Sequence, residues 1–494
     1  MSGWWLAGTM VAVAAAAFGG IFFAPPVAVG AGLSLLLASV LMRMPLPTLA
    51  PTASARPRSL VEGIWVAVWL WEGMGSAVAL VMRDALYLYS LFSVAVSVLL
   101  AATACVTYLT SRGPRLPGMP RAARLLLAAA GVATVSMLLA PVRPDGGLLV
   151  PFATFAAQAS TAVAIVLSYK SIADRGRAFS LAIQAFALGV GVTVAALVAN
   201  GALQGGRFGI EEVVHPNIVG GLCGLGTVML LGYWKRIGTW WLVPIVGLLV
   251  FALFLSFSKT ALLATVAACL VWSVLATPRR RMWRSAALCT AALAVVLLAG
   301  DRFLDYLSSY FQSTWGAATL SGRTQLWEST IRVWSERPVI GYGYRLFPDV
   351  IAALAPEIRW EVRSVAHAHN AALTTLLEMG LLGLLVLLTW VVSTGRDLFR
   401  LLRRGVLSAD VTVPAMLLTF MVVRSLMEGD LAFRADVPFL LLVSLGAEPW
   451  RGVERSLAGR RHSLKGNEPS EGLRSRALDR LTNASWTTFQ NRSM

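Results

Sequence analysis

The chain has 494 residues, of which 57% are hydrophobic and 14% are charged, and its formal net charge at pH 7 is +17. So apolar a chain cannot bury its hydrophobic surface in one water-soluble domain, and the composition therefore predicts a protein embedded in a lipid bilayer. The four cysteines lie in apolar runs without CxxC spacing, which indicates buried thiols rather than a disulfide or metal site.

Apolar runs long enough to cross a bilayer recur along most of the chain and predict an all-α polytopic membrane protein with about twelve to fourteen transmembrane helices. No basic region precedes the first run, so we expect it to remain as a span rather than be cleaved as a signal peptide. In chain order, the predicted spans are residues 4–23, 25–42, 61–82, 85–110, 122–141, 148–169, 178–200, 216–234, 239–257, 260–277, 285–300, 371–395, 411–428 and 436–448.

Basic residues cluster at alternate connections between these runs and in the tail after Trp450. By the positive-inside rule, this alternation predicts that both termini face the cytoplasm. The positive charge is then mainly a topology signal, and a nucleic-acid partner is not expected because no soluble basic face is predicted. The predicted organisation is about eleven spans in residues 1–301, one large outward-facing loop domain at 302–370, about three spans in 371–448 and a basic cytoplasmic tail at 449–494.

The outward-facing loop domain is the longest connection on its side, so we expect function to lie on it and on the span ends beside it. Asn370 is a favourable N-cap residue directly before an apolar helical run, which places His369 just outside the first turn at the membrane surface. Gly380 and Gly383 follow on the same helix, where small side chains allow a neighbouring helix to approach closely.

Four short blocks between roughly residues 200 and 400 resemble, in family order, the signatures of the O-antigen ligase and polymerase superfamily. They are "HPNIVGGLCG" from residue 215, "LSFSKTALL" from residue 255, "SGRTQLWESTIRVWSERPVIGYGY" from residue 321, and "HN", nine residues, "GLLG" from residue 369. Each block alone is a weak signal, and their common order on the predicted outward side makes the resemblance specific.

The resemblance implies a glycosyltransferase of the bacterial cytoplasmic membrane with its active site on the outer face. The implied donor is an oligosaccharide on undecaprenyl diphosphate, and the implied acceptor is another lipid-linked glycan or lipid A–core. The anomeric configuration would invert, and neither a metal nor another cofactor is implied. Membrane lipids and other polysaccharide-assembly proteins are the further partners expected from the resemblance.

The residue types fit this chemistry. An acceptor hydroxyl needs a base, for which His369 is suited. A diphosphate leaving group needs positive charge, and because the sequence has neither a D-x-D motif nor a Cys/His cluster, Lys259 and Arg323 are the predicted catalytic cations. The residues predicted to bind substrate are Asn370, His367, Arg363, Arg345, His215 and Tyr342, and those predicted to be structural are Gly380, Gly383, Gly322 and Trp327.

Two alternatives remain open at this point. Within the class, the "GRTQLW" and "SKT" blocks look closer to exopolysaccharide polymerases than to ligases that use lipid A–core. Outside the class, a transporter or flippase for a lipid-linked sugar is possible, but transporters place charge at the midplane and contain repeated halves. The residues singled out in this chain gather at one predicted surface.

Overall fold

The structure is a computed structural model that describes residues 59–83, 86–112, 119–142, 147–172, 174–200, 202, 208–210, 213–237, 242–276, 323–356, 367–403, 409–429, 431–432 and 436–447. The predicted spans at 4–23, 25–42 and 285–300 and the predicted tail from residue 449 lie outside the described residues.

The described part contains thirteen helices and no strand, which confirms the all-α prediction. In chain order they are α1 (Leu60–Val81), α2 (Leu86–Arg112), α3 (Arg121–Leu138), α4 (Leu149–Ser171), α5 (Arg175–Ala199), α6 (Pro216–Ile237), α7 (Leu242–Leu255), α8 (Lys259–Ala276), α9 (Arg323–Glu336), α10 (Phe347–Leu354), α11 (Ala371–Arg403), α12 (Ala409–Ser425) and α13 (Val437–Ala447).

Seven of the described helices are long and apolar enough to cross a membrane, namely α1 to α6 and α11. Four further apolar helices, α7, α8, α12 and α13, are shorter. Each of these eleven helices coincides with a predicted span, and the chain is a multi-pass membrane protein. The remaining two, α9 and α10, lie in the segment predicted as the loop domain.

Close contact between α1 and α5 depends on two glycines. A Cβ atom on Gly73 would lie 2.5 Å from the carbonyl oxygen of Phe186, and a Cβ on Gly189 would lie 2.5 Å from that of Leu70. The hydroxyl of Thr193 donates a hydrogen bond of 2.8 Å to the Gly73 carbonyl across the same contact. Small residues therefore bring the two backbones together, as is typical of helix packing in membranes.

Two ion pairs, one buried and one partly exposed, lie at the same end of the helix bundle. Arg177, near the start of α5, contacts Glu62 in the first turn of α1 at 3.0 Å. Arg121, at the start of α3, contacts Asp397 in the last turns of α11 at 2.6 Å. We call this the basic end. The start of α11 and the end of α12 are at the other end of the bundle, which we call the site end.

Helix α11 is broken at Gly380, whose φ and ψ are 65° and −164°. The segment 338–343 completes the interrupted backbone hydrogen bonding: the amides of Tyr342 and Gly343 donate to the carbonyls of residues 377 and 378, and those of residues 381 and 382 donate to the carbonyls of 338 and 339. A break in a membrane helix needs such replacement partners because lipid supplies none.

Glycine is required at positions 341 and 380 beside this break for a steric reason. Gly341 has φ of 75°, and a Cβ there would lie 2.6 Å from the carbonyl oxygen of Leu377. A Cβ on Gly380 would collide with the Val339 carbonyl. Gly380 therefore admits a close approach, as expected, but the partner is this inserted segment and not a neighbouring helix. A Cβ on Gly383 would instead meet Met379 and Thr375 of its own helix.

Candidate active site

Two histidines and one glutamate form a cluster at the site end. Nδ1 of His369 lies 3.3 Å from Oε2 of Glu428, and Nε2 of His367 lies 4.0 Å from the same oxygen. The two imidazole rings meet edge to face with centroids 4.7 Å apart. Glu428 is buried in the connection after α12, whereas both histidines are partly exposed. The cluster thus joins an enclosed anion to two accessible imidazoles.

The backbone before α11 is shaped to present His369. Asn370 caps the helix, since its Oδ1 accepts a hydrogen bond of 3.0 Å from the Leu373 amide. His369 itself has φ of 48°, a left-handed conformation that is rare for residues other than glycine and is found where surrounding contacts enforce it. One such contact is the hydrogen bond of 3.0 Å from the His369 amide to Nδ1 of His367.

Two further contacts tie this turn to its neighbours. The Asn370 side-chain amide donates to the Leu426 carbonyl at 3.2 Å, two residues before Glu428 in the chain. The Trp327 indole donates to the Ala368 carbonyl at 2.7 Å and so fastens α9 to the turn that carries both histidines. Asn370 and Trp327, expected from the sequence to bind substrate and to support structure respectively, both hold His369 in place.

Glu428 is ionised in this setting. Burial by itself would raise the pKa of its carboxyl, but the hydrogen bond and charge of His369, together with the charges of Arg424 and His367, outweigh burial and lower the pKa to about 2. Its other oxygen, Oε1, accepts a hydrogen bond of 2.9 Å from the Asn217 side chain at the start of α6. A fixed, charged carboxylate therefore faces His369.

The hydrogen bonds assign the ring protons of both histidines. An ionised carboxylate only accepts hydrogen bonds, so Nδ1 of His369 carries the proton and Nε2 keeps a free lone pair. Nδ1 of His367 accepts the His369 amide, so the proton of its neutral ring is on Nε2. His369 is thus arranged as a general base and His367 as a support for its backbone.

The same three side chains are a possible cation site, because one ligating atom from each lies within 4.8 Å of the others. Two histidines and a glutamate are a known zinc ligand set. A ligating histidine, however, usually donates its second ring N–H to a neighbour. His367 accepts a hydrogen bond there instead, so the hydrogen bonding favours a proton-carrying cluster over a metal centre.

Arg323 is the first residue of α9 and borders the cluster. Its Nη1 donates to the Met427 carbonyl at 3.1 Å, and its Nη2 lies 3.8 Å from Oε1 of Glu428. Burial lowers the pKa of the Arg323 guanidinium, while the charge of Glu428 opposes that change. The guanidinium remains charged at any physiological pH because its ordinary pKa is far higher. It is therefore a cation fixed next to the His369–Glu428 pair.

The remaining predicted residues lie around this centre. Nδ1 of His215 accepts a hydrogen bond of 3.2 Å from the backbone amide of Asn217. His215 therefore supports the turn from which the Asn217 side chain reaches Glu428. Lys259 begins α8 directly after Ser258, and a Cβ on Gly220 of α6 would lie 2.5 Å from the Cβ of that serine. The blocks beginning at residues 215 and 255 thus meet at the site end. Arg363 and Gly322 lie outside the described residues.

Tyr342 and Arg345 belong to the segment beside the helix break. The Tyr342 hydroxyl donates to Glu336 at 3.1 Å, and its pKa is raised to about 12, first by burial and then by the hydrogen bond and charge of Glu336. The Arg345 guanidinium lies over the Tyr344 ring at 5.8 Å. These contacts anchor the inserted segment.

The sequence analysis did not single out Glu428, Arg424 and Asn217, which the structure connects to the histidine cluster. Glu428 is an acidic residue in one of the short connections on the predicted outward side, and that was the only available signal. Its significance depends on α12 ending beside the start of α11, which no local pattern indicates.

The comparison with known families agrees with this geometry. Residues 244–388 match the family model described as O-antigen ligase. The matched segment includes Lys259, Arg323 and both histidines, whereas Asn217, Arg424 and Glu428 lie outside it. No curated protein matches the chain significantly. This multi-pass membrane protein thus carries a segment that matches the O-antigen ligase family model, which confirms its resemblance to the O-antigen ligase and polymerase superfamily.

Proposed function

We propose that this protein is a metal-independent, inverting glycosyltransferase that transfers an oligosaccharide from undecaprenyl diphosphate to an acceptor hydroxyl. The single observation that carries the proposal is the pairing of His369 with buried, ionised Glu428 beside the Arg323 guanidinium. A base oriented by a carboxylate and a nearby cation are what glycosyl transfer from a diphosphate requires.

In the proposed reaction, the acceptor hydroxyl oxygen attacks the anomeric carbon and its proton moves to Nε2 of His369. The bond between the anomeric carbon and the diphosphate oxygen breaks, and its electron pair leaves with the polyprenyl diphosphate. Attack opposite the leaving group inverts the configuration. Glu428 stabilises the imidazolium that forms, as the buried acid does in other histidine-based catalytic sites.

Arg323 and Lys259 are proposed to hold the departing diphosphate, where negative charge develops. Arg323 is the better supported of the two because it already borders Glu428. We propose supporting contacts to the donor or acceptor for Arg363, Arg345 and Tyr342. His367, His215 and Asn370 are proposed to act through the positions of His369 and Glu428.

The proposed orientation places the site end on the outer face of the bacterial cytoplasmic membrane and both termini in the cytoplasm. The ion-paired arginines at the basic end and the predicted distribution of basic connections support this orientation. A single cysteine at exposed Gln325 on α9 tests it. We expect labelling by a membrane-impermeant reagent in intact spheroplasts, and protection there combined with labelling in inverted vesicles would reverse the topology.

We favour a polymerase of polysaccharide repeat units over a ligase that uses lipid A–core. Purified protein in liposomes is supplied with a defined undecaprenyl-diphosphate oligosaccharide, with and without lipid A–core. Products longer than one repeat without lipid A–core support a polymerase, whereas products formed only with lipid A–core support a ligase. Movement of the intact donor between leaflets without transfer would instead identify a flippase.

A further inference from the structure

Two arginines that differ in their exposure act on Glu428: Arg323 contacts it, and Arg424 shares Asn217 with it and lowers its pKa through charge. The Arg323 side chain is 20% exposed, and that of Arg424 is 5% exposed. Arg323 comes from α9 at the site surface, whereas Arg424 is in the last turn of α12. A diphosphate can reach the first arginine far more readily than the second.

Arg424 is held by groups from two other helices. Its Nη2 donates to the Asn217 carbonyl at 3.1 Å, and its Nη1 lies 3.8 Å from Oδ1 of Asp436. Gly221, one turn along α6, leaves the space for the guanidinium, since a Cβ there would lie 2.5 Å from its Cζ. Asn217 therefore contacts Arg424 through its backbone and Glu428 through its side chain.

This arrangement matters when substrate binds. The contact between Arg323 and Glu428 is loose at 3.8 Å, and a diphosphate would compete for the same guanidinium. A carboxylate that is 3% exposed needs a remaining cation to stay ionised. It must stay ionised at that moment, because His369 is about to gain a proton and positive charge.

We propose that Arg424 is a positioning residue that keeps Glu428 fixed and charged while Arg323 engages the diphosphate. This inference rests on the proposed function. In this proposal the two arginines have different roles. Arg323 contacts the substrate, whereas Arg424 acts only through Glu428 and the turn at Asn217.

The pH dependence of turnover separates this role from a merely structural one. Among the described residues, the charged or titratable groups that act on Glu428 are His367 and His369 before α11, Arg323 of α9 and Arg424 of α12, and Asp436 pairs with Arg424. Removing the Arg424 charge makes protonation of the His369–Glu428 pair easier. The acidic limb of the kcat profile, which reports that pair, should therefore move to higher pH.

The variant for this test is Arg424→Met/Asp436→Asn, which avoids leaving Asp436 as an unpaired buried charge. We expect its acidic limb to move up by about one pH unit, with the donor KM on the alkaline plateau unchanged. Arg424→Lys should move the acidic limb less than the double variant does, because lysine keeps the positive charge but lacks the two-pronged guanidinium. Gly221→Ala retains every charge but displaces the guanidinium, and it should shift the limb in the same direction.

The matched control is Arg177→Met/Glu62→Gln, which deletes a buried ion pair at the basic end. It should leave the limb where the parent has it. Acid-induced unfolding of the same purified proteins gives a readout that needs no substrate, and the Arg424 double variant should unfold at higher pH than the control. If the parent protein were inactive, the proposed function would be refuted, but the unfolding comparison would still test whether Arg424 keeps Glu428 charged. The inference is overturned if the folded Arg424 and Gly221 variants follow the control in both measurements.

Discussion

Nδ1 of His369 lies 3.3 Å from Oε2 of Glu428, although the two residues are 59 positions apart in the chain. The histidine precedes the capped start of α11, and the glutamate follows the end of α12. Asn370 bridges the two turns through its hydrogen bond to the Leu426 carbonyl. The orientation of the imidazole is therefore set by the packing of two helix ends.

His369→Ala should reduce kcat by about 10²–10⁴-fold, the usual contribution of a general base. Binding of the lipid-linked donor should persist, because Arg323 and Lys259, which are proposed to hold its diphosphate, remain. His367→Ala should lose less activity, since its ring supports the His369 amide and does not take the proton. Single-turnover assays on both purified variants decide the assignment. Near-normal turnover in His369→Ala, with loss in His367→Ala, would show that the base is His367.

Glu428 should make the protein sensitive to acid. Its pKa is lowered from 4.5 to about 2 in the folded state, so its contribution to stability is present above pH 4.5 and is lost as the pH falls from 4.5 to about 2. A shift of this size corresponds to about 3 kcal/mol. We expect the melting temperature of the purified parent to fall across this window.

Glu428→Gln lacks the titrating group, so its melting temperature should depend less on pH between 4.5 and 2. The same variant should lose transfer activity by roughly 10²-fold or more, because the charge that stabilises the His369 imidazolium is gone. Equal acid sensitivity in parent and variant would mean that other carboxyls cause the transition.

Arg323→Ala should abolish most transfer, and Arg323→Lys should retain only part of it. A guanidinium can bind two phosphate oxygens at once, whereas an ammonium is a single point charge. Steady-state kinetics with a lipid-linked donor measure the effect. The control is Arg332→Ala, which removes an exposed arginine from the same helix. If the two alanine variants are equally active, the diphosphate is bound elsewhere.

Gly380→Ala and Gly341→Ala should each destabilise the protein by more than about 1–3 kcal/mol, the cost of unfavourable backbone geometry alone. Both glycines have positive φ, and an added Cβ would strike the carbonyl of Val339 or Leu377. Thermal unfolding in detergent measures the change. Gly131→Ala in α3, where an added Cβ meets nothing within 4 Å, is the control and should be neutral or slightly stabilising. Equal melting temperatures for all three variants would show that the close contact between residues 338–343 and the break at Gly380 does not require glycine.

Transfer should survive chelation of divalent cations. The protons assigned to His367 and His369 make their rings hydrogen-bonding partners of Glu428 and of the backbone, and the arginine and lysine side chains can supply the positive charge. Activity is measured in EDTA and after adding back zinc, magnesium or manganese. Loss in EDTA that one metal reverses would instead assign the three side chains as its ligands.

Local sequence patterns were sufficient for the helices and for the cap at Asn370. The apolar runs predicted every membrane helix that the structure describes to within a few residues, apart from a longer C-terminal end on α11, because a bilayer demands long apolar segments wherever the chain crosses it. Asn370 was predicted as a cap because capping depends only on the residue and the three that follow it. The resemblance of four blocks drew attention to His369 and Arg323 without any knowledge of their surroundings.

The sequence alone thus determined that the chain is an all-α membrane protein with a histidine at the start of α11 and cationic residues in the blocks near it. Only the tertiary structure decided that Glu428 pairs with this histidine and that Arg424 and the glutamate share Asn217 as a partner. It also decided that residues 338–343 fill the break at Gly380. The physical reason is the range of the interactions. Helix formation and capping are local, whereas a buried charge takes its partners from whichever helix ends packing brings together, and these lie far apart in the chain.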